Sequence, residues 1–163
     1  MKTLLLLRHA KSSRDDPSLP HFDRPLEQRG RRDAPRMGKL LKEHGHLPDL
    51  IISSPAVRAK ETLEAFALSA GLDLSFQFDE SIYGATSAEL LKVIRHISKK
   101  SSCALLVGHN PGFEDLLSRL TGTHRNMPTA ALACIEFQID SWDDIEDGKG
   151  RLVWLLTPKQ DAN

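Results

Sequence analysis

The chain has 163 residues, of which 40% are hydrophobic and 27% are charged, a balance typical of a folded soluble domain. Its 22 Lys and Arg residues equal its 22 Asp and Glu residues, so the charge gives no reason to expect nucleic acid or a membrane as a partner. The N-terminal apolar run is too short for a signal peptide or a membrane span. We therefore expect one domain over residues 1–163, located in the cytoplasm.

Two apolar runs each end at a histidine. The first, residues 3–7, leads into Arg8 and His9, and the second, residues 104–107, leads through a glycine into His109. Apolar runs of this length are typical of strands buried on both faces of a parallel sheet. Because ligands bind beyond the carboxyl ends of such strands, both histidines are predicted to lie where chemistry is usually done.

After the first strand, a polar loop over residues 11–25 leads into a predicted helix from Glu27 to Glu43. Gly45 is a plausible residue to end this helix in the left-handed conformation. Pro35 falls inside the predicted helix, which indicates either a kink or a later start.

The second strand is predicted at Leu50–Ile52. Ser54 is expected to be the N-cap and Pro55 the first residue of a helix that reaches about Ala70. A weaker strand is predicted at Leu74–Phe78.

Two further helix starts follow. Thr86-Ser87-Ala88-Glu89 has the pattern of a capping box, and Asn110 is expected to cap a helix that begins at Pro111.

The last two strands differ from the earlier alternation of strand and helix. Residues 131–139 and 151–156 are separated by an acidic turn that contains glycine, which predicts a hairpin at the edge of the sheet. The whole pattern predicts an α/β fold, a three-layer α/β/α sandwich whose central sheet has about six strands, mostly parallel, with one antiparallel strand.

Four basic side chains are expected to meet at the carboxyl edge of this sheet: Arg8, His9, Arg58 and His109. Arg58 lies one turn into the helix after the second strand. Arginine offers a planar fork of donors that matches phosphate oxygens, and nearby helix N-termini add free N–H groups. The cluster therefore predicts a pocket for a dianionic phosphoryl group.

His9 is the better candidate for a nucleophile because it directly follows a strand and has an arginine beside it. A phosphoryl group transferred to its imidazole would give a phosphohistidine intermediate that water then hydrolyses. The flanking arginines are expected to lower the pKa of His9 and keep it neutral at pH 7. His109, if protonated, would donate to the phosphoryl oxygens.

Three segments together resemble a known family. Leu7-Arg8-His9-Ala10, the segment 53–62 that ends in Arg58-Ala59-Lys60-Glu61-Thr62, and Gly108-His109-Asn110 are similar to the motifs of the histidine phosphatase superfamily, with its phosphoglycerate-mutase-like fold. The short length, Arg24-Pro25-Leu26 and Gly108-His109-Asn110-Pro111 are most similar to SixA-type phosphohistidine phosphatases. The resemblance implies His9 as the nucleophile, and Arg8, Arg58 and His109 as the phosphate pocket.

Two positions depart from the motifs of the superfamily. The signature glycine is replaced by Ala10, and Asn110 stands where one branch has an acidic proton donor. In another branch the donor is a glutamate between the second and third motifs, which makes Glu80 a weak candidate for a general acid. An exposed loop residue is an equally good interpretation of Glu80.

Three residues near the motifs are weaker candidates for contact with the substrate: Lys11, Ser12 and His21. A solvated loop is an equally good interpretation of Lys11 and Ser12, and it is the preferred interpretation of His21. Cys103 and Cys134 lie in apolar segments and are expected to be buried free thiols. No metal-ligand spacing is present, so no metal or other cofactor is expected.

The preferred hypothesis is a metal-independent phosphatase that acts on phosphohistidine of a protein partner through covalent catalysis at His9. The first alternative is a phosphomonoesterase for a small phosphorylated metabolite. The second is a non-catalytic module that binds phosphate.

Overall fold

The computed structural model describes residues 1–159, which contain a six-stranded sheet and four α-helices. The strands are β1 (Lys2–Arg8), β2 (Leu50–Ser53), β3 (Phe76–Phe78), β4 (Cys103–Gly108), β5 (Leu132–Phe137) and β6 (Arg151–Leu156). The helices are α1 (Gln28–His44), α2 (Val57–Ala70), α3 (Ser87–Arg95) and α4 (Gly112–Thr121).

The order of strands in the sheet is β3-β2-β4-β1-β5-β6. The first four are parallel to one another, β5 pairs antiparallel with β1, and β6 pairs antiparallel with β5. Only β5 of these six strands therefore runs against the others. The predicted class of sheet, with one antiparallel strand and a hairpin at one edge, is confirmed.

Helices cover both faces of the sheet, which explains why β1 is an unbroken apolar run. Leu4 and Leu6 pack into the core under α3 and α4, whereas Leu5 and Leu7 pack into the core under α1 and α2. All four leucines are fully buried. An alternating polar pattern would place polar side chains against one layer of helices, at a cost in free energy.

Helix α1 begins at Gln28 and includes Pro35, so the later start considered from the sequence is wrong. Ser69 Oγ in α2 donates a hydrogen bond of 2.6 Å to the carbonyl of Pro35, in the middle of the contact between the two helices. Gly45 ends α1 with φ of 80°, as predicted.

Two predicted helix starts are also wrong. Helix α2 begins at Val57, and the Ser54 side chain accepts from Ala56 N–H instead of capping the helix. Helix α4 begins at Gly112, and the Asn110 side chain donates to the Met127 carbonyl. Each side chain also contacts a distant segment, Ser54 through His109 and Asn110 through Met127, and these tertiary contacts outweigh local capping.

Other boundaries agree with the sequence to within a few residues. The capping box of Thr86 and Glu89 is present at the start of α3, and β6 has the predicted limits. In residues 1–159, no helix combines the length and the apolar character that a membrane span requires.

Candidate active site

The two histidines meet because β1 and β4 are neighbours in register. Arg8 pairs with Gly108, so the next residue on each strand is a histidine, and the backbone N–H of His9 donates to the Gly108 carbonyl at 3.0 Å. The imidazole centroids of His9 and His109 are 5.1 Å apart. A Cβ at Gly108 would lie 2.7 Å from the ring of Phe113, so only glycine permits this approach before His109.

Helix α2 delivers Arg58 to the site from its first turn. The side chain is only 4% exposed, and its Nη1 donates to the carbonyl of His21 at 2.8 Å. Thr62 Oγ1 donates to the Arg58 carbonyl at 2.7 Å and accepts from the Ala10 N–H at 2.9 Å. Thr62 thus joins the helix that carries Arg58 to the chain that follows His9.

Arg8 is held from the opposite side, by the segment before β5. Its Nη1 donates to the Met127 carbonyl at 2.9 Å, and the Met127 N–H donates to Glu114 Oε2 at 3.1 Å. Burial lowers the pKa of Arg8, and the nearby charge of Glu114 partly opposes that shift. Arg8 Nε is buried and has no protein partner, so a donor remains for a ligand oxygen.

His9 presents one free nitrogen to the site. Its Nδ1 lies 2.7 Å from the carbonyl of Ala10, which can only accept, so we assign the proton to Nδ1. The lone pair of Nε2 is therefore available. Burial, with smaller contributions from the charges of Arg58 and Arg8, lowers the pKa of His9 to about 4, against the opposing hydrogen bond to Ala10. The expected neutral state of His9 agrees with this shift, although burial is the larger cause.

His109 is fixed by a buried hydroxyl. Its Nε2 lies 2.7 Å from Ser54 Oγ, which also accepts from the Ala56 N–H. Nε2 is the one acceptor for the Ser54 O–H among residues 1–159, so we assign Ser54 as the donor and the proton of His109 to Nδ1, a buried atom without a partner in those residues.

Burial and the neighbouring His9, Arg58 and Arg8 lower the pKa of His109 to about 3. The protonated state considered for His109 from the sequence is therefore disfavoured in the free protein at pH 7. The neutral tautomer still offers one N–H for a phosphoryl oxygen.

The weaker candidates have different surroundings. The Lys11 carbonyl accepts from the Glu27 N–H, Ser12 pairs with Leu26 in an isolated bridge, and both side chains are half-buried. His21 contacts the site through its carbonyl, which holds Arg58.

Glu80 is exposed in the short turn Glu80–Ile82. It lines a cleft of about 830 Å³ between the edge strand β3 and helix α3. In residues 1–159, no hydrogen bond or ion pair connects it to the two arginines and two histidines. Its role as a general acid stays a prediction.

Several contributors were not predicted from the sequence. The ring of Tyr83 lies 5.4 Å from the ring of His109, edge-on, and 5.8 Å from the guanidinium carbon of Arg58. Arg24 adds positive charge that lowers the pKa values of His9 and Arg58. Ser54 and Thr62 belong to the second motif, but only the fold shows their partners.

Both cysteines are free thiols, but only Cys134 is buried as expected, whereas Cys103 at the start of β4 is half-buried. They lie on the two strands that flank β1, where Cys103 pairs with Thr3 and Cys134 with Leu5, and burial is the main cause that raises the pKa of each to about 12. Among residues 1–159, no group of three or more His, Cys, Asp or Glu side chains could hold a metal ion.

Comparison with known proteins assigns the family. The model of the histidine phosphatase superfamily (branch 1) matches residues 4–85, which include Arg8, His9 and Arg58. The chain belongs to the histidine phosphatase superfamily. Its fold is the phosphoglycerate-mutase-like α/β fold, and within the superfamily it is similar to the SixA type.

Individual relatives extend the match to at least 95% of the chain. An uncharacterized chloroplastic protein of Arabidopsis thaliana is 35% identical over 95% of this chain and 75% of its own length. A putative phosphohistidine phosphatase SixA from Agrobacterium tumefaciens is 28% identical, with a TM-score of 0.83 over 96% of this chain and 98% of that one. The protein histidine phosphatase SixA complexed with tungstate is 22% identical, with a TM-score of 0.78 over 97% of this chain and 98% of that one. At this level of identity the similarity shows a shared fold.

Proposed function

We propose that this member of the superfamily hydrolyses phosphohistidine on a protein partner, through a phosphoryl group carried on His9. The observation that supports the proposal is the pair of imidazoles, 5.1 Å apart and with lowered pKa values, beside the buried Arg58 and the half-buried Arg8. Neither Arg8 nor Arg58 forms an ion pair with a carboxylate within residues 1–159. Their charge is therefore available to a dianionic ligand.

Binding begins with the phosphoryl oxygens. Arg8 and Arg58 donate to these oxygens, and the Nδ1–H of His109 donates a further hydrogen bond. Arg8 Nε and His109 Nδ1 are two of the four buried side-chain atoms without a partner in residues 1–159, the others being Arg24 Nε and Asn110 Oδ1, and in this proposal a phosphoryl group satisfies the first two. The bound dianion also replaces the repulsion among these cations and dipoles with attraction.

Phosphoryl transfer then uses the lone pair of His9 Nε2. A bond forms between Nε2 and phosphorus, while the bond from phosphorus to the substrate nitrogen breaks and its electron pair returns to that nitrogen. The hydrogen bond from His9 Nδ1–H to the Ala10 carbonyl stabilises the positive charge that develops on the ring. Arg8, Arg58 and His109 stabilise the charge on the equatorial oxygens.

Hydrolysis completes the cycle. Water attacks phosphorus on the opposite side from His9, its oxygen bonds to phosphorus, and the bond to Nε2 breaks with return of the electron pair to the imidazole. The proton that water loses passes to a phosphate oxygen or to solvent. The imidazole of His9 is the nucleophile of the first step and water is the nucleophile of the second, while two arginines supply the positive charge, so we propose a mechanism that requires no metal.

The choice of phosphohistidine rests on the leaving group. A phosphorylated imidazole that is protonated on its other nitrogen departs as a neutral ring, so it needs little help from an acid. An alkyl phosphate departs as an alkoxide unless it is protonated. The contacts around His9 and His109 contain no carboxylic acid among the residues described, which favours the first substrate over a small phosphate ester.

Location in the cytoplasm stays a prediction.

The test is to mix the purified protein with a phosphohistidine-bearing domain and measure phosphate release. The proposal expects release by the wild type and none by His9→Ala. Parallel assays with an alkyl phosphate test the small-metabolite alternative, which would be favoured by faster turnover of the ester. Binding of phosphate without turnover of either substrate would instead support a non-catalytic module.

A further inference from the structure

Two half-exposed aromatic rings border the phosphate pocket, and we propose that they select the group that leaves. Phe22 and Tyr83, together called the aromatic rim, contact the imidazole ring of the phosphohistidine substrate. The inference rests on the proposed function and adds a specificity determinant to it. It predicts that the protein distinguishes a phosphorylated ring from a phosphoramidate that has no ring.

The rim is built from two distant parts of the chain. Phe22 belongs to the short turn His21–Asp23, and Tyr83 follows the turn Glu80–Ile82. Their ring centroids are 5.1 Å apart with planes at 73°, the edge-to-face geometry that aromatic pairs prefer. The two turns thus meet through these rings.

Both halves of the rim are tied to the residues that would hold phosphate. Tyr83 contacts the His109 ring at 5.4 Å and the Arg58 guanidinium at 5.8 Å. The turn that carries Phe22 is fixed by the hydrogen bond from Arg58 Nη1 to the His21 carbonyl. The same arginine therefore sets the position of both rings relative to a bound phosphoryl group.

The distances place the leaving group within reach of the rim. A phosphoryl group bound by Arg58 and His109 would lie one side-chain layer from the Tyr83 ring. The substrate nitrogen is bonded directly to phosphorus, so an imidazole attached to it extends only a few ångströms further. Such a ring would meet Tyr83 first and Phe22 next.

Exposure supports a role in binding. Phe22 is 37% exposed and Tyr83 is 36% exposed, although each ring also has an aromatic neighbour. Exposed aromatic pairs beside a polar site are more typical of recognition surfaces than of cores. Arg24 and His21, which flank the same short turn, contact each other and add polar groups next to Phe22. An aromatic imidazole fits the two rings of the rim, whereas the phosphate fits Arg8, Arg58 and His109.

Phe22 is the better residue to test, because Tyr83 also packs on Arg58 and His109. The experiment compares kcat/KM for the free amino acid phosphohistidine with kcat/KM for phosphoramidate, both in wild type and in Phe22→Ala. Loss of an aromatic contact is expected to lower the ratio of the two values by about three- to tenfold. Phe22→Tyr keeps the ring and is expected to restore the ratio.

A matched control is available at Phe78. This phenylalanine is also exposed and lies under a lysine, Lys60, but it belongs to the edge strand β3. Phe78→Ala removes the same side chain outside the site and is expected to leave the ratio of the two kcat/KM values at its wild-type level.

Three outcomes overturn the inference. The first is an unchanged ratio of the two kcat/KM values in Phe22→Ala. The second is an equal fall of that ratio in the control Phe78→Ala, and the third is a ratio in Phe22→Tyr that stays as low as in Phe22→Ala. Failure of the proposed function gives a different result, since the wild type would then release no phosphate from the phosphohistidine-bearing domain. If the wild type hydrolyses phosphohistidine but the ratio of the two kcat/KM values is the same in Phe22→Ala, the role of the aromatic rim is contradicted and the proposed function is not.

Discussion

The imidazole rings of His9 and His109 lie 5.1 Å apart at the ends of two adjacent parallel strands. Each ring has one nitrogen committed to the protein, His9 Nδ1 to the Ala10 carbonyl and His109 Nε2 to the Ser54 hydroxyl. The other nitrogen of each ring is left for a ligand. The pair thus combines a nucleophile with a hydrogen-bond donor, although the two side chains are chemically identical.

The surroundings of both rings oppose protonation. We expect titration by nuclear magnetic resonance to give a pKa of about 4 for His9 and about 3 for His109 in the free protein. Both values lie below the ordinary value for histidine, so both rings are neutral at pH 7, and protonation of His9 abolishes nucleophilicity only below about pH 4. Tungstate, as an oxyanion, should raise both values. Titration of both rings near their ordinary pKa would contradict the geometry of the site.

The hydroxyl of Ser54 is predicted to fix the tautomer of His109. Ser54→Ala should lower kcat by about tenfold to a hundredfold, because the Nδ1–H of His109 is then no longer enforced. Nitrogen chemical shifts of His109 should change from one tautomer to a mixture. Ser53→Ala is the matched control, since Ser53 is equally buried and its hydroxyl donates to the Ser54 carbonyl. A similar loss of kcat in both variants would show a general effect of packing.

Thr62 is predicted to couple Arg58 to the chain after His9. Thr62→Val keeps the shape but leaves the Ala10 N–H buried without a partner, at a cost of about 1–3 kcal/mol in the free energy of unfolding. We also expect a higher KM for the phosphorylated substrate. Thr121→Val is the control, because Thr121 makes the same kind of bond to Leu117 within α4. Urea denaturation and steady-state kinetics measure the two effects, and an unchanged KM in Thr62→Val would refute the coupling.

Glu80 is predicted to matter for esters more than for phosphohistidine. If Glu80 supplies a proton to the leaving group, Glu80→Gln lowers kcat for an alkyl phosphate and has a much smaller effect on phosphoramidate. Asp79→Asn is a suitable neighbour control, since Asp79 accepts from Ser81 instead. Equal rates for wild type and Glu80→Gln on the ester would show that Glu80 is not the acid.

Much of the sheet could be predicted from the sequence, because burial on both faces leaves a strong signal. Residues 4–7 and residues 104–107 are all apolar. Short continuous apolar runs of this kind are typical of strands that are buried on both faces. Once the two strands are neighbours, the convergence of His9 and His109 follows from register alone. The strands at the hairpin were likewise marked by the turn between them.

The contacts between separate segments could not be predicted. Ser54 and Asn110 have the residue types of helix caps, but their side chains bind partners that are distant in the sequence. The residues next to Ser54 and Asn110 in the sequence do not indicate those partners. Tyr83 lies in a loop with no periodicity and reaches the site only because the turn Glu80–Ile82 directs the chain toward α2. Burial, as the main cause of the lowered pKa of His9, is likewise a property of the assembled fold.

The central claim is that His9 carries the phosphoryl group during turnover. The most direct measurement is to incubate the protein with isotopically labelled phosphoramidate, quench in alkali and locate the label by mass spectrometry. We predict a label on His9 that is stable to alkali and lost in acid, present in wild type and absent in His9→Ala. Release of phosphate by the wild type with no label on His9, or undiminished release by His9→Ala, would contradict the account.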